Sequence, residues 1–70
     1  MPSSVIARFA YHAEDRRLEV WFRTGRRYAY QDVPAAVAAA LERAPSKGAY
    51  FNAHIRDAFE GIRIDRPPVG

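Results

Sequence analysis

The apolar residues of this chain change their spacing at Asp32, and that switch limits what it can fold into. Upstream the pattern has period two. The run "VIARFAYH" sets Val5, Ala7, Phe9 and Tyr11 against Ile6, Arg8, Ala10 and His12. "RLEVWFRT" sets Leu18, Val20 and Phe22 against Glu19, Trp21 and Arg23, and "RRYAYQ" sets Tyr28 and Tyr30 against Arg27, Ala29 and Gln31. Alternation of this kind belongs to strands with one buried face. "AEDR" and "TG" are turn material, so a three-stranded antiparallel meander is predicted over about 4–12, 17–24 and 26–31. Downstream, Val33, Val37, Leu41 and Ala44 recur at helical spacing, and so do Phe51, Ile55, Ala58, Phe59 and Ile62. Two helices are predicted, over about 33–44 and 47–60, packed on one sheet face in a two-layer α+β domain.

Local chemistry supplies the boundaries. Asp32 is the expected cap of the first helix, entered through Val33 and Pro34, and Pro45 stops it. Ser46 is the expected cap of the second, with Gly61 as its stop. A two-residue turn between the second and third strands would hold β-branched Thr24 at positive φ. A three-residue loop, Arg23-Thr24-Gly25 with Gly25 left-handed, avoids that strain. Phe22 then pairs with Arg26, Val20 with Tyr28 and Leu18 with Tyr30, which turns both tyrosines toward the core.

The chain has 70 residues, of which 49 % are hydrophobic and 13 % aromatic. That is one domain, read as residues 1–62 with a flexible tail over 63–70, and no room for a deep cleft. With no cysteine there are no disulfides or thiolate metal sites. No apolar run precedes Arg8 and no stretch reaches membrane-spanning length, so a cytoplasmic protein without a membrane partner is expected. The net charge is +3, and ten of the eleven basic residues are arginine. Residues 1–31 hold six arginines against Glu14, Asp15 and Glu19, a balance of +3, so the basic excess sits in the strand half. Arginine suits bidentate contact with phosphate or carboxylate.

Ser3-Ser4, "LEVWF", the G-x-x-Y-x-Y of Gly25, Tyr28 and Tyr30, "DVP" (Asp32 to Pro34) and "AxSKGxYFNxxIR" (Ala44 to Arg56) together resemble the KTSC domain. That family is found at the carboxy terminus of some lysyl-tRNA synthetases and as small stand-alone bacterial proteins, and the likeness runs from about residue 3 to 59. Ala49 departs from it, standing where a basic residue is expected after the glycine. The resemblance implies a non-enzymatic module with RNA as its suggested partner. It carries no catalytic residue, cofactor or metal ligand over to this chain.

Three constellations could meet a partner. In "SKGAYFN", Ser46, Gly48 and Phe51 read first as helix architecture, with Ile55 continuing the core stripe and Asn52 within reach of the preceding helix's free carbonyls. The alternative is an anion foothold made by Lys47 and free backbone N–H groups, extended by Asn52 and Arg56. Tyr28 and Tyr30 read as core, with base stacking as the alternative. The uncovered sheet face carries Trp21 among Arg8, Arg23 and Arg27, a composition suited to bases and phosphates. The same composition suits a protein interface or a self-dimer, formed on that face or on an edge strand. Both readings stay open at this level. His12 and His54 lie on different elements without the carboxylate spacing of a hydrolytic or metal site, so neither catalysis nor a small-molecule substrate is expected.

Overall fold

The computed structural model of the chain describes residues 5–64. Strands β1 (Ile6–His12), β2 (Arg17–Phe22) and β3 (Arg27–Tyr30) form the expected meander, followed by helices α1 (Ala35–Arg43) and α2 (Lys47–His54). A fourth strand, β4 (Gly61–Arg63), then pairs antiparallel with β3, so the sheet order is β1-β2-β3-β4. The class is α+β as expected, with a four-stranded sheet in place of three. Arg63, assigned by sequence to the tail, is thus the last residue of β4; residues 65–70 lie outside the described residues, as do Ser3 and Ser4.

The register between β2 and β3 is the one expected from the three-residue turn. Leu18 pairs with Tyr30 and Val20 with Tyr28, Phe22 N–H donates to Arg26 O at 2.8 Å, and Gly25 has φ +95°. A left-handed residue there lets the chain reverse without straining Thr24. Strand β1 does not alternate cleanly. Ile6 pairs with Phe22 but Arg8 pairs with Trp21, so Ala7 is an extra, bulged residue. The bulge moves Ile6 onto the face of Phe9 and Tyr11, where it is buried, and leaves Val5 49 % exposed. Simple alternation had put these two residues on the opposite sides.

The core lies between the sheet and the helices and is built from Ile6, Leu18, Val20, Tyr30, Val33, Leu41, Phe51 and Ile55. Asp32 does not cap α1. It sits at φ 56°, Pro34 occupies the N-cap position, and no side chain caps the helix. Val33 explains this: its N–H donates to Arg16 O at 2.8 Å while its side chain is fully buried, and a residue before proline avoids helical backbone. The helix can start only after Pro34. Ser46 does cap α2, accepting from Ala49 N–H at 3.3 Å. α2 ends at His54, six residues short of expectation, and Gly61 is a strand residue instead of a helix stop. Ile55 and Phe59 still pack on the core, but through a turn that frees the chain to reach β3. Ile62 consequently leaves the helical stripe and is 47 % exposed.

Candidate functional site

The face of the sheet away from the helices is carpeted by its own side chains. Arg8, Trp21 and Arg27 form one cross-strand row, with the Arg8 and Arg27 guanidinium carbons 4.3 and 4.8 Å from the indole centroid. Arg8 comes from β1 and Arg27 from β3, so the central indole is flanked by cations from both neighbouring strands. This is why Trp21 is half-buried although no helix covers it. Arg23 stands beyond the row, exposed at the start of the turn.

The next row centres on Glu19, which sequence reasoning left as an ordinary strand residue. It is only 8 % exposed. Arg27 Nη2 donates to its Oε1 at 3.0 Å and Arg17 Nε to its Oε2 at 3.2 Å, with His12 Nε2 at 3.4 Å from Oε2. Burial works to raise the Glu19 carboxyl, but the Arg27 hydrogen bond and charge, then His12 and Arg17, outweigh it and hold the group below its ordinary value. Glu19 is therefore an anchor that orders the arginines around it. The available signal was its position opposite Ala10 and Ala29, whose small side chains let the neighbouring long ones fold over it.

The other sequence-predicted residues gather on the helix side. A groove of about 480 Å³ runs between the carboxy-terminal half of α2 and strands β3 and β4. Tyr28, Tyr30, Asn52 and Arg56 all line it, joined by Arg26 and Asp57. Its aromatic wall is interlocked: Tyr28 and Tyr30 are stacked with centroids 6.2 Å apart, and Phe51 meets Tyr30 edge-on at 5.4 Å. Both tyrosines face the core side, as their register required. Burial foremost, then the neighbouring Tyr28, raises the Tyr30 phenol above its ordinary value. Asn52 is exposed and makes no side-chain hydrogen bond to the end of α1 among the described residues. Lys47 stays apart from both surfaces, at the first position of α2. Gly48 is buried in that first turn. No three His, Asp or Glu side chains among the described residues gather as a metal site.

The G-x-x-Y-x-Y and SKGxYFNxxIR segments thus meet across one groove. A KTSC domain family model matches residues 2–59. The chain belongs to the KTSC domain family. A KTSC domain protein from Yersinia pestis has a similar fold, with a TM-score of 0.85 at 33 % identity over 91 % of this chain and 90 % of that one. A curated relative, a lysine–tRNA ligase of Nostoc punctiforme, is 40 % identical over 57 residues, which is 81 % of this chain and 10 % of the ligase. The KTSC domain here therefore spans about a tenth of that relative's length. No helix among its described residues is long and apolar enough to cross a membrane.

Proposed function

We propose that this KTSC domain is a non-enzymatic module that binds single-stranded or tRNA-like RNA through the sheet face away from the helices. The observation that carries the reading is the Arg8–Trp21–Arg27 row, in which two guanidinium groups lie over one indole ring. Guanidinium planes stack on unpaired bases as aromatic rings do, and they pair with phosphate besides. Because Arg27 is already fixed by Glu19, the exposed Arg8 is the cation of the row best placed to meet phosphate, with the exposed Arg23 beyond it on the same face. The basic excess of the strand half fits a polyanionic partner. A relative named for a reaction of tRNA favours RNA among polyanions.

Arg27→Ala would remove a structural partner of Glu19, so the test uses Arg8→Ala and Arg23→Ala. Each variant should keep the fold, weaken binding of a single-stranded RNA at low salt, and flatten its salt dependence by about 0.7 in the log–log slope for each phosphate the variant no longer engages. A wild-type protein that binds no RNA at low salt overturns the proposal. So does a tight dimer that dissociates in a folded Trp21→Ala variant, because the row would then be a self-association surface.

A further inference from the structure

We infer that the groove between α2 and strands β3 and β4 is a separate site for one ribonucleotide carrying a phosphate. It lies on the opposite side of the sheet from the Arg8–Trp21–Arg27 row and goes beyond the RNA-binding reading without depending on it. The size fits: 480 Å³ is within the range of about 300–1,000 Å³ typical of small-molecule sites. The chemistry narrows the class. Tyr28 is only half-buried, and its ring is held by an edge-on contact with Phe22 at 5.8 Å and by the stacked Tyr30. A rigid, partly exposed aromatic plane takes a flat heterocycle at little entropic cost.

The polar groups around that plane are exposed and not tied to one another by hydrogen bonds, although the Arg56 and Asp57 charges both act on the Tyr30 phenol. Among the described residues, the side chains of Arg26, Asn52, Arg56 and Asp57 make no hydrogen bond or ion pair, and the Tyr28 and Tyr30 hydroxyls have no hydrogen-bond partner. The contrast is with the other face, where Arg17 and Arg27 both donate to Glu19, and with Tyr11, whose hydroxyl donates to Val33 O at 2.6 Å. Arg26 and Arg56 reach the groove from separate segments and supply the charge for a phosphate. Asn52 offers both a donor and an acceptor to a base edge. Asp57 is the acid of the set. A carboxylate beside two guanidiniums opposes a bare polyanion but accepts the hydroxyls of a ribose. Base, sugar and phosphate each have a counterpart, and an inorganic anion or a plain aromatic would leave two of the three unused.

The test follows backbone amide NMR signals of the intact chain during titration with adenosine and cytidine monophosphates. Arms with the deoxy forms, the nucleosides, inorganic phosphate and a short 5′-phosphorylated RNA run in parallel. Saturable shifts at Arg26, Tyr28, Asn52 and Arg56 are expected, with the ribonucleotide bound more tightly than the deoxy form. Arg56→Ala and Asp57→Asn, both exposed positions, should each weaken it about tenfold with the spectrum otherwise unchanged. An RNA that competes with the free nucleotide identifies a chain terminus as the source, and one that does not identifies the free nucleotide; either outcome supports the site. Phosphate alone binding as tightly, shifts confined to Arg8, Trp21 and Arg23, or no saturable shift overturns it. Arg8→Ala should retain nucleotide binding, so this inference and the RNA reading stand or fall separately.

Discussion

Gly61 lies in β4 where the ring of Tyr30 crosses the strand. A Cβ placed on it would sit 2.5 Å from Tyr30 Cε1 and 3.0 Å from two further ring atoms. The ring cannot swing aside cheaply, because it is buried and packed edge-on against Phe51. Gly61→Ala should therefore destabilise the domain by about 1–3 kcal/mol through overpacking. Urea denaturation checks this, and an unchanged midpoint would mean that the ring yields. Gly61 looks like a helix stop in the sequence because a glycine after a helical stripe usually is one. Its role here is set by a tyrosine thirty-one positions upstream, which local pattern does not report.

At the scale of elements, α2 is too short to stand alone. Eight residues fall below the roughly 12–15 at which an isolated helix becomes even marginal. It is held by the Ser46 cap and by Phe51 and Ile55 in the core. Gly48 in its first turn puts two effects in opposition. Alanine would improve helix propensity by up to ~1 kcal/mol, while a methyl group at a buried position crowds its surroundings by roughly 1–3 kcal/mol. Crowding should win, so Gly48→Ala is expected to lower the thermal midpoint. A higher midpoint would show that nothing approaches its α-carbon. Val37, Leu41 and Phe51 fall on the core side of their helices as the spacing predicts, whereas Val33 lies ahead of α1, the buried Ala38 is not in the expected stripe, and Ile55 stands at the C-cap of α2. The helix reading overran at the end because Phe59 keeps helical spacing while the backbone has already left the helix.

For the whole molecule, Glu19 and Tyr30, the two perturbed groups among the described residues, lie on opposite faces of the sheet and act on its stability from opposite ends of the pH range. Glu19 is depressed in the folded state, so its contribution is present above the unfolded carboxylate value of about 4.3 and is lost as pH falls through the lower folded value. Tyr30 is raised, so its contribution is present below about 10 and is lost as pH rises through the folded value. A profile of urea midpoint against pH should show a plateau between these limits. Glu19→Gln should lower the plateau by about 1–3 kcal/mol and make the acid limb shallower, since Arg17 and Arg27 lose the carboxylate they share. Tyr30→Phe should make the alkaline limb shallower. An acid limb identical in Glu19→Gln and wild type would mean that the Glu19 network contributes nothing.

The sequence by itself determined the α+β class, the meander, the β2–β3 register and the Ser46 cap, because each rests on contacts or backbone preferences within a few residues. Thr24 beside Gly25 was enough to choose the turn, and the turn sent Tyr28 and Tyr30 to the core side. Only the tertiary structure decided the Ala7 bulge, the fourth strand, the place of Asp32 and the two surfaces as they stand. The bulge depends on how Ile6 meets Phe22, and β4 on how far the turn after α2 carries the chain. Glu19 becomes an anchor only when Arg17 and Arg27 fold over it from its own strand and from β3. The groove exists only because residues 24–30 and 51–61 are brought together across the core, and no local spacing encodes the shape of the space between them.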